Sequence, residues 1–405
     1  MDTKIAFFPV DNGDMTLLKL GDDAETTVLI DCNIREAADD PTQKTRDVAS
    51  DLRSRLRRDG NGRPYVDAFL LSHPDEDHCR GLKRHFYLGP LANYPDDNKA
   101  DSQKRIVIRE LWSSPMVFRR ASKEHVLCDD AVAWNAEARR RVQINRNSGF
   151  FVADGDRILV LGEDEDGKTD DLAPILVKVD QDFNRINGSF NPCLMGHLLA
   201  PMLKADDDTE DLLSKNHSSV IVNFDLKANP VSLVGRRFLS GGDAEVAIWE
   251  RLWEKHEFAP SVLEYDLLQT PHHCSWHSLS YDSWSELHED AVVSSDARSA
   301  LSQIRDGGII VASSCPIVDD DCDPPCYGAK LEYETIVAEA SGAFYCTAEY
   351  PAKDSVAPLE FTVTATAIEL KKTSPISTLL RPAAVASGLG FPNKPVVPNK
   401  PAGFA

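Results

Sequence analysis

The chain has 405 residues, 42% hydrophobic and 27% charged, an ordinary globular balance with enough length for a sizeable core. Asp and Glu number 65 against 44 Lys and Arg, a formal charge of −21. That field excludes polyanions as partners unless a local basic patch overrides it, and it favours divalent cations where carboxylates converge.

The N-terminus reads as three short strands, Ile5 to Val10, Thr16 to Leu20 and Thr26 to Ile30, separated by Asp11-Asn12-Gly13-Asp14 and Gly21-Asp22-Asp23. The first run is too short for a signal peptide, and no apolar stretch approaches the roughly 20 residues of a spanning helix. The expected compartment is the cytoplasm, with no membrane partner. Val48, Leu52 and Leu56 line one face of a predicted helix over Arg46 to Arg58. Val66 to Leu71 is a near-continuous apolar run, as in a strand buried on both faces, and it empties into the polar cluster Ser72 to His78.

From Phe86 to about 215 the pattern is less regular. A helix is predicted over Asp129 to Arg141, and strands at Arg157 to Leu161 and Ile175 to Val179, among acidic loops that include Asp206 to Asp211. We read this stretch as an elaboration inserted into a core fold. Strands return at Ser218 to Phe224 and Arg237 to Ser240. Gly241-Gly242-Asp243 follows, then a helix over Ala244 to His256. Tyr265 to Gln269 is a strand leading to Pro271-His272-His273, and a helix is expected over Trp284 to Leu287 or Ala297 to Ile304. Gly308 to Ser313, Phe344 to Ala348 and Glu360 to Leu370 complete the strands. Residues 373–405, rich in Pro and Ala with Pro-Asn-Lys-Pro twice, read as a disordered or polyproline-like tail. The nine Cys are scattered, as free thiols would be. The one close pair, Cys322 and Cys326, has no second pair to complete a zinc knuckle.

Three strand ends carry metal-ligand residues, where α/β sheets place their ligands. His73, Asp75, Asp77 and His78 lie within one turn, which can fold the first two toward one point and the last two toward a neighbouring one. Imidazole with carboxylate suits zinc, manganese or iron. Gly-Gly-Asp at 241–243 is weak alone, because it is also an ordinary turn and cap. Of adjacent His at a strand end, typically one points inward. His85, His125, His197, His256 and His288 lack ligand-rich neighbours and read as ordinary surface or core residues; His277 is close to the His272-His273 pair but reads the same way.

Taken in order, several segments resemble the metallo-β-lactamase superfamily, and within it the ComEC-like hydrolase branch. They are Val10 to Asp14, Leu29-Ile30-Asp31-Cys32, Ser72 to His78 (a His-x-Asp-x-Asp-His variant), Asn216 to Val220, Ser240 to Glu245 and Leu268 to Ser275. The resemblance implies an α/β fold, a four-layer αββα sandwich over residues 1–372 with the insertion at about 86–215. It implies two divalent metal ions, zinc or manganese. His73 and Asp75 would hold one, Asp77 and His78 the other, with His272 a further ligand and Asp243 the bridge. Cys274 stands in place of the branch's Gly, and Cys326-Tyr327-Gly328-Ala329 lacks its C-terminal His.

The activity implied is hydrolysis of a phosphodiester, in nucleic acid or a nucleotide, by a hydroxide held between the ions. Asp77 would orient it, and Asn216 and Ser219 would contact a phosphate oxygen. A polyanion would need a basic groove, for which Lys83-Arg84, Arg119-Arg120 and Arg139-Arg140-Arg141 are the compact candidates. Two alternatives stand beside this. One is a metal-binding regulatory or sensor subunit of a bacterial defence or stress module, meeting a partner protein through the tail or the insertion. The other is an amide, thioester or lactam hydrolase, since the fold hosts many chemistries.

Overall fold

The computed structural model describes residues 1–40, 42–119, 126–203 and 215–371. The acidic run 206–211, Arg120, His125 and the tail 373–405 lie outside the described residues. The architecture is mixed α/β, built on two large sheets. The first runs, in spatial order, Ile368–Leu370, Leu359–Val363, Lys4–Phe7, Thr16–Lys19, Thr27–Ile30, Pro64–Leu70, Ile106–Ser113, Arg157–Leu161 and Leu176–Val177. Its pairings are antiparallel up to Thr27–Ile30 and parallel beyond. The second runs Asp182–Phe183, Leu194–Ala200, Ile221–Lys227, Gly235–Ser240, Tyr265–Gln269, Ile304–Ala312 and Ala343–Cys346, antiparallel in its first half and parallel in its second.

Period-two alternation decides what each strand faces. Phe7, Leu18, Ile30 and Leu70 of the first sheet share one buried cluster with Val222, Phe224, Phe238 and Leu267 of the second. Phe7 meets Phe238 edge-on, with ring centroids 5.8 Å apart. The neighbours in sequence face the other way. Leu239, Leu268 and Ile310 pack on Trp249, Leu252, Leu301 and Tyr333, which belong to helices Val246–His256, Ser295–Leu301 and Tyr327–Glu339. Leu17, Leu29, Phe69 and Leu111 pack on Leu52 and Trp134, from helices Val48–Arg55 and Asp129–Ser148. Each fully buried large apolar side chain is worth about 1.5–3 kcal/mol, so losing register at the sheet–sheet contact would forfeit several such contributions at once.

The stretch read as an insertion completes both sheets. Ile106–Ser113 and Arg157–Leu161 extend the first, and Leu194–Ala200 pairs with Ile221–Lys227 in the second. The predicted helix from Asp129 runs on to Ser148. Both alternatives for the later helix form, as Trp284–Leu287 and Ser295–Leu301. The run from Glu360 divides into Leu359–Val363 and Ile368–Leu370. All nine Cys are free thiols, and no helix of the described residues is long and apolar enough to cross a membrane.

Candidate metal centre

The strand Pro64–Leu70 is buried along its whole length and delivers Ser72 to His78 to the sheet edge. Asp31, at the end of the neighbouring strand, shapes this turn. Its backbone N–H donates to Leu70 O at 2.9 Å, and its carboxylate accepts the Ser72 N–H at 2.7 Å and the Ser72 hydroxyl. Glu76–Cys79 then forms one helical turn, and the Cys32 N–H donates to His78 O at 2.9 Å. Held in this way, His78 presents Nδ1 at 2.9 Å from Asp31 Oδ2 and Nε2 at 2.8 Å from Asp243 Oδ1.

The second sheet supplies the facing loops. Asp243 follows Gly235–Ser240 through a turn in which Gly242 has φ +50°. A Cβ on Gly242 would lie 3.0 Å from Ser219 Cβ and 3.1 Å from Ser72 Oγ, so the close approach of these loops requires glycine. The next strand ends at Gln269, and the His272 N–H donates to Gly242 O at 2.9 Å. His272, His273 and Cys274 have φ of +49°, +54° and +69°, three successive left-handed residues that no local sequence preference favours. Cys274 thus adopts a left-handed conformation that ordinarily suits glycine. The backbone N–H of Cys326 donates to Cys274 O at 2.9 Å, so the segment entering helix Tyr327–Glu339 abuts this turn.

Among the described residues, two groups of side chains can hold a metal ion: Asp77, His78, Asp243 and His273, and Asp14, Asp31 and His78. Within each group the ligand atoms all lie within 4.8 Å of one another. A neutral imidazole has one acceptor nitrogen, so His78 can ligate in only one group at a time. With Nδ1 on Asp31, its Nε2 is turned to the first group. His273 Nε2 lies 3.1 Å from Asp77 Oδ2 and 3.6 Å from Asp243 Oδ1, and its Nδ1 lies 3.3 Å from Asp14 Oδ1.

The donor set fits a divalent cation. His78 Nε2 and Asp243 Oδ1 are buried and face each other at 2.8 Å, as two ligands of one ion would. Burial opposes charge on the His78 imidazole, but Asp243 and Asp31 prevail and hold it well above its ordinary range. Burial likewise opposes charge on His273, yet Asp243, Asp14 and Asp77 push it up to about 10. Burial works against the Asp243 carboxylate, and His78, His272 and His273 nevertheless hold it well below the usual carboxylate range. Protons therefore occupy the places that an ion would take, and ligation exchanges one for the other.

The residues expected from sequence fall into place as follows. Asp77, His78 and Asp243 meet in the first group. His73 and Asp75 pair beside it, Nε2 to Oδ2 at 3.4 Å, and the His73 and His78 rings are 5.5 Å apart. His272 lies at the rim, with Nε2 3.9 Å from Asp243 Oδ2 and Nδ1 3.9 Å from Glu245 Oε1, while His273 enters the group. Asn216 Nδ2 donates to Glu245 Oε1 at 2.7 Å, leaving its buried Oδ1 without a hydrogen bond. Ser219 Oγ accepts the Asp243 N–H at 3.0 Å. Asp14, Asp31 and His273 were not expected as ligands. The signal for Asp31 was an apolar strand ending on a lone Asp.

The surroundings of the centre are acidic. One adjoining cavity of about 420 Å³ is lined by Asp75, Glu76 and Asp77, with Arg80 paired to Glu76 at 3.1 Å. A second of about 990 Å³ opens at His217 and Glu245 and carries Glu250, Glu254, Glu257 and Asp296. Lys83 and Arg84 are paired with Asp129 and Asp39, and Arg140 and Arg141 with Glu137. No protein-family model matches the chain, and no curated protein matches it either.

Proposed function

We propose that the protein is a metal-dependent hydrolase with the four-layer αββα architecture of the metallo-β-lactamase type, acting on a phosphodiester. The observation that carries the reading is the convergence of Asp77, His78, Asp243 and His273 from three strand ends at one buried point. The resemblance of the ordered motifs to the ComEC-like branch supports the phosphodiester. Divalent ions bound there would supply Lewis acidity and lower the pKa of coordinated water to about 7. Asp77 is the one half-buried member of the group, placed to accept a proton from an attacking water. Asp31 holds the His78 ring, and Ser219 holds Asp243. The acidic walls favour a small nucleotide over a nucleic-acid polymer. In this reading residues 1–372 form the hydrolase domain, the tail 373–405 is a separate appendage, and the protein works in the cytoplasm.

A second reading is favoured by the second cavity. Its carboxylates, and the acceptor that Asn216 offers in place of a donor, suit a substrate bearing an amine or amide N–H, as an amide hydrolase would use. The test is metal analysis with a substrate panel. Protein loaded with Mn²⁺ or Zn²⁺ is expected to hydrolyse bis-p-nitrophenyl phosphate or a cyclic nucleotide, and Asp243→Ala to lose both metal and turnover. Hydrolysis of amine-bearing amides alone would select the second reading. Full metal occupancy without turnover on any substrate would select a regulatory subunit and overturn both.

A further inference from the structure

The first sheet ends in another feature, apart from the His/Asp group. The parallel strands Ile106–Ser113 and Arg157–Leu161 stop side by side, and helix Asp129–Ser148 packs on them. Between the helix and the strand ends lies a cavity of about 790 Å³. That is an ordinary volume for a small-molecule site, and the carboxyl ends of parallel strands are where α/β sheets receive ligands.

The lining divides into two chemistries. Phe118, Val142, Ile158 and Leu172 give an apolar floor. Arg119, Arg139, Arg146 and Lys168 stand around it with one lining carboxylate, Asp164. Arg119 grips Asp164 with two nitrogens, and Arg146 grips Asp171 at 2.7 and 2.8 Å, which fixes both guanidinium planes. Lys168 reaches Asp166 at 3.0 Å. Arg139 is exposed and has no ion-pair partner among the described residues, so its charge is left to attract an anion. Of its neighbours in the basic run, Arg140 and Arg141 are both spent on Glu137.

We propose that this cavity binds a small amphipathic anion, an apolar body with a phosphate or carboxylate head. The body lies on Phe118, Val142 and Leu172, and the head meets Arg139 between the two fixed guanidiniums. The site is independent of the hydrolase reading, because none of these residues belongs to the His/Asp group.

The test is calorimetric titration of the full chain with adenosine monophosphate and, separately, with decanoate. Saturable one-to-one binding of the nucleotide identifies a phosphate head, and binding of decanoate a carboxylate head. Either is expected to weaken roughly tenfold or more in Arg139→Glu, which reverses an exposed charge and leaves the core alone. It is also expected to weaken in Ala138→Phe, which fills the cavity. Absence of binding by both probes overturns the proposal. So does binding that survives both variants, and binding lost in Asp243→Ala but kept in Arg139→Glu places the ligand at the metal centre instead.

Discussion

The Asp243 backbone N–H donates to the Ser219 hydroxyl at 3.0 Å, and the same oxygen lies 3.4 Å from His73 Nδ1. Ser219 precedes the strand Ile221–Lys227 and Asp243 follows its antiparallel partner Gly235–Ser240, so this one bond locks a strand entrance to a strand exit. It works only because Gly242 brings the two loops into contact. Gly242→Ala, with φ +50° and a Cβ 3.0 Å from Ser219, is expected to cost about 1–3 kcal/mol and to abolish metal binding while far-UV dichroism stays native. Stoichiometric metal in the variant would refute this.

The two adjacent imidazoles should differ. His273 is fully buried and touches Asp77, Asp243 and Asp14, whereas His272 sits at the rim. His273→Ala is expected to lower metal affinity by more than tenfold and His272→Ala by less, measured by competition with a chromogenic chelator. Equal losses would mean that both ligate.

Asp31 touches the centre only through His78 in the favoured group. Asp31→Asn keeps the size and can still accept a hydrogen bond, but it removes the charge that orients the ring. We expect a loss of about 10–100-fold in metal affinity with the fold retained. A complete loss, equal to that of His78→Ala, would instead make Asp31 a ligand.

Arg141 is a buried guanidinium on the helix Asp129–Ser148. It bonds Glu137 at 2.8 Å and the carbonyls of Ile108 and Arg157 at 3.1 and 3.0 Å, pinning the helix to two strands. Arg141→Ala leaves the buried Glu137 with one cation fewer and two carbonyls unpaired, at an expected cost of about 3–5 kcal/mol by urea denaturation. A change below about 1 kcal/mol would show that the helix packs without this anchor.

His85 gives the fold an acid limit. The Arg53 guanidinium can only donate, so His85 Nδ1, 3.2 Å away, accepts, and Nε2–H faces Asp39 at 3.1 Å. The imidazole is therefore neutral. Burial holds it below its ordinary value of 6.5, with Arg53 adding to the effect and Asp39 opposing it. The unfolded chain takes up the proton first, so this contribution is intact above about pH 6.5 and is lost as pH falls below it. His85→Gln, which can make the same two contacts, is expected to reduce the difference in urea midpoint between about pH 8 and about pH 5.

The sequence carried the centre unevenly. Pro64–Leu70 was legible because seven buried residues in a row leave an apolar run, and the polar cluster after it could only be a turn. Asp243 was legible as the residue after two glycines. His273 was not, because the choice between it and His272 depends on three successive left-handed residues. Asp14 was not, since a single Asp in a turn looks the same whether it faces solvent or an imidazole. Strands such as Leu176–Val177 and Asp182–Phe183 are two residues long, too short for a period to show, and the longer strands Ile106–Ser113 and Leu194–Ala200 lie among irregular loops, so the stretch 86–215 read as an insertion although its described residues complete both sheets.

The group Asp77, His78, Asp243 and His273 draws half its members from each large sheet. Neither sheet supplies all four of these ligands alone, so capture at this group would follow the docking of the two sheets. An ion held there would act as a rivet, and stripping it would loosen the seam between the two sheets before it melts either one.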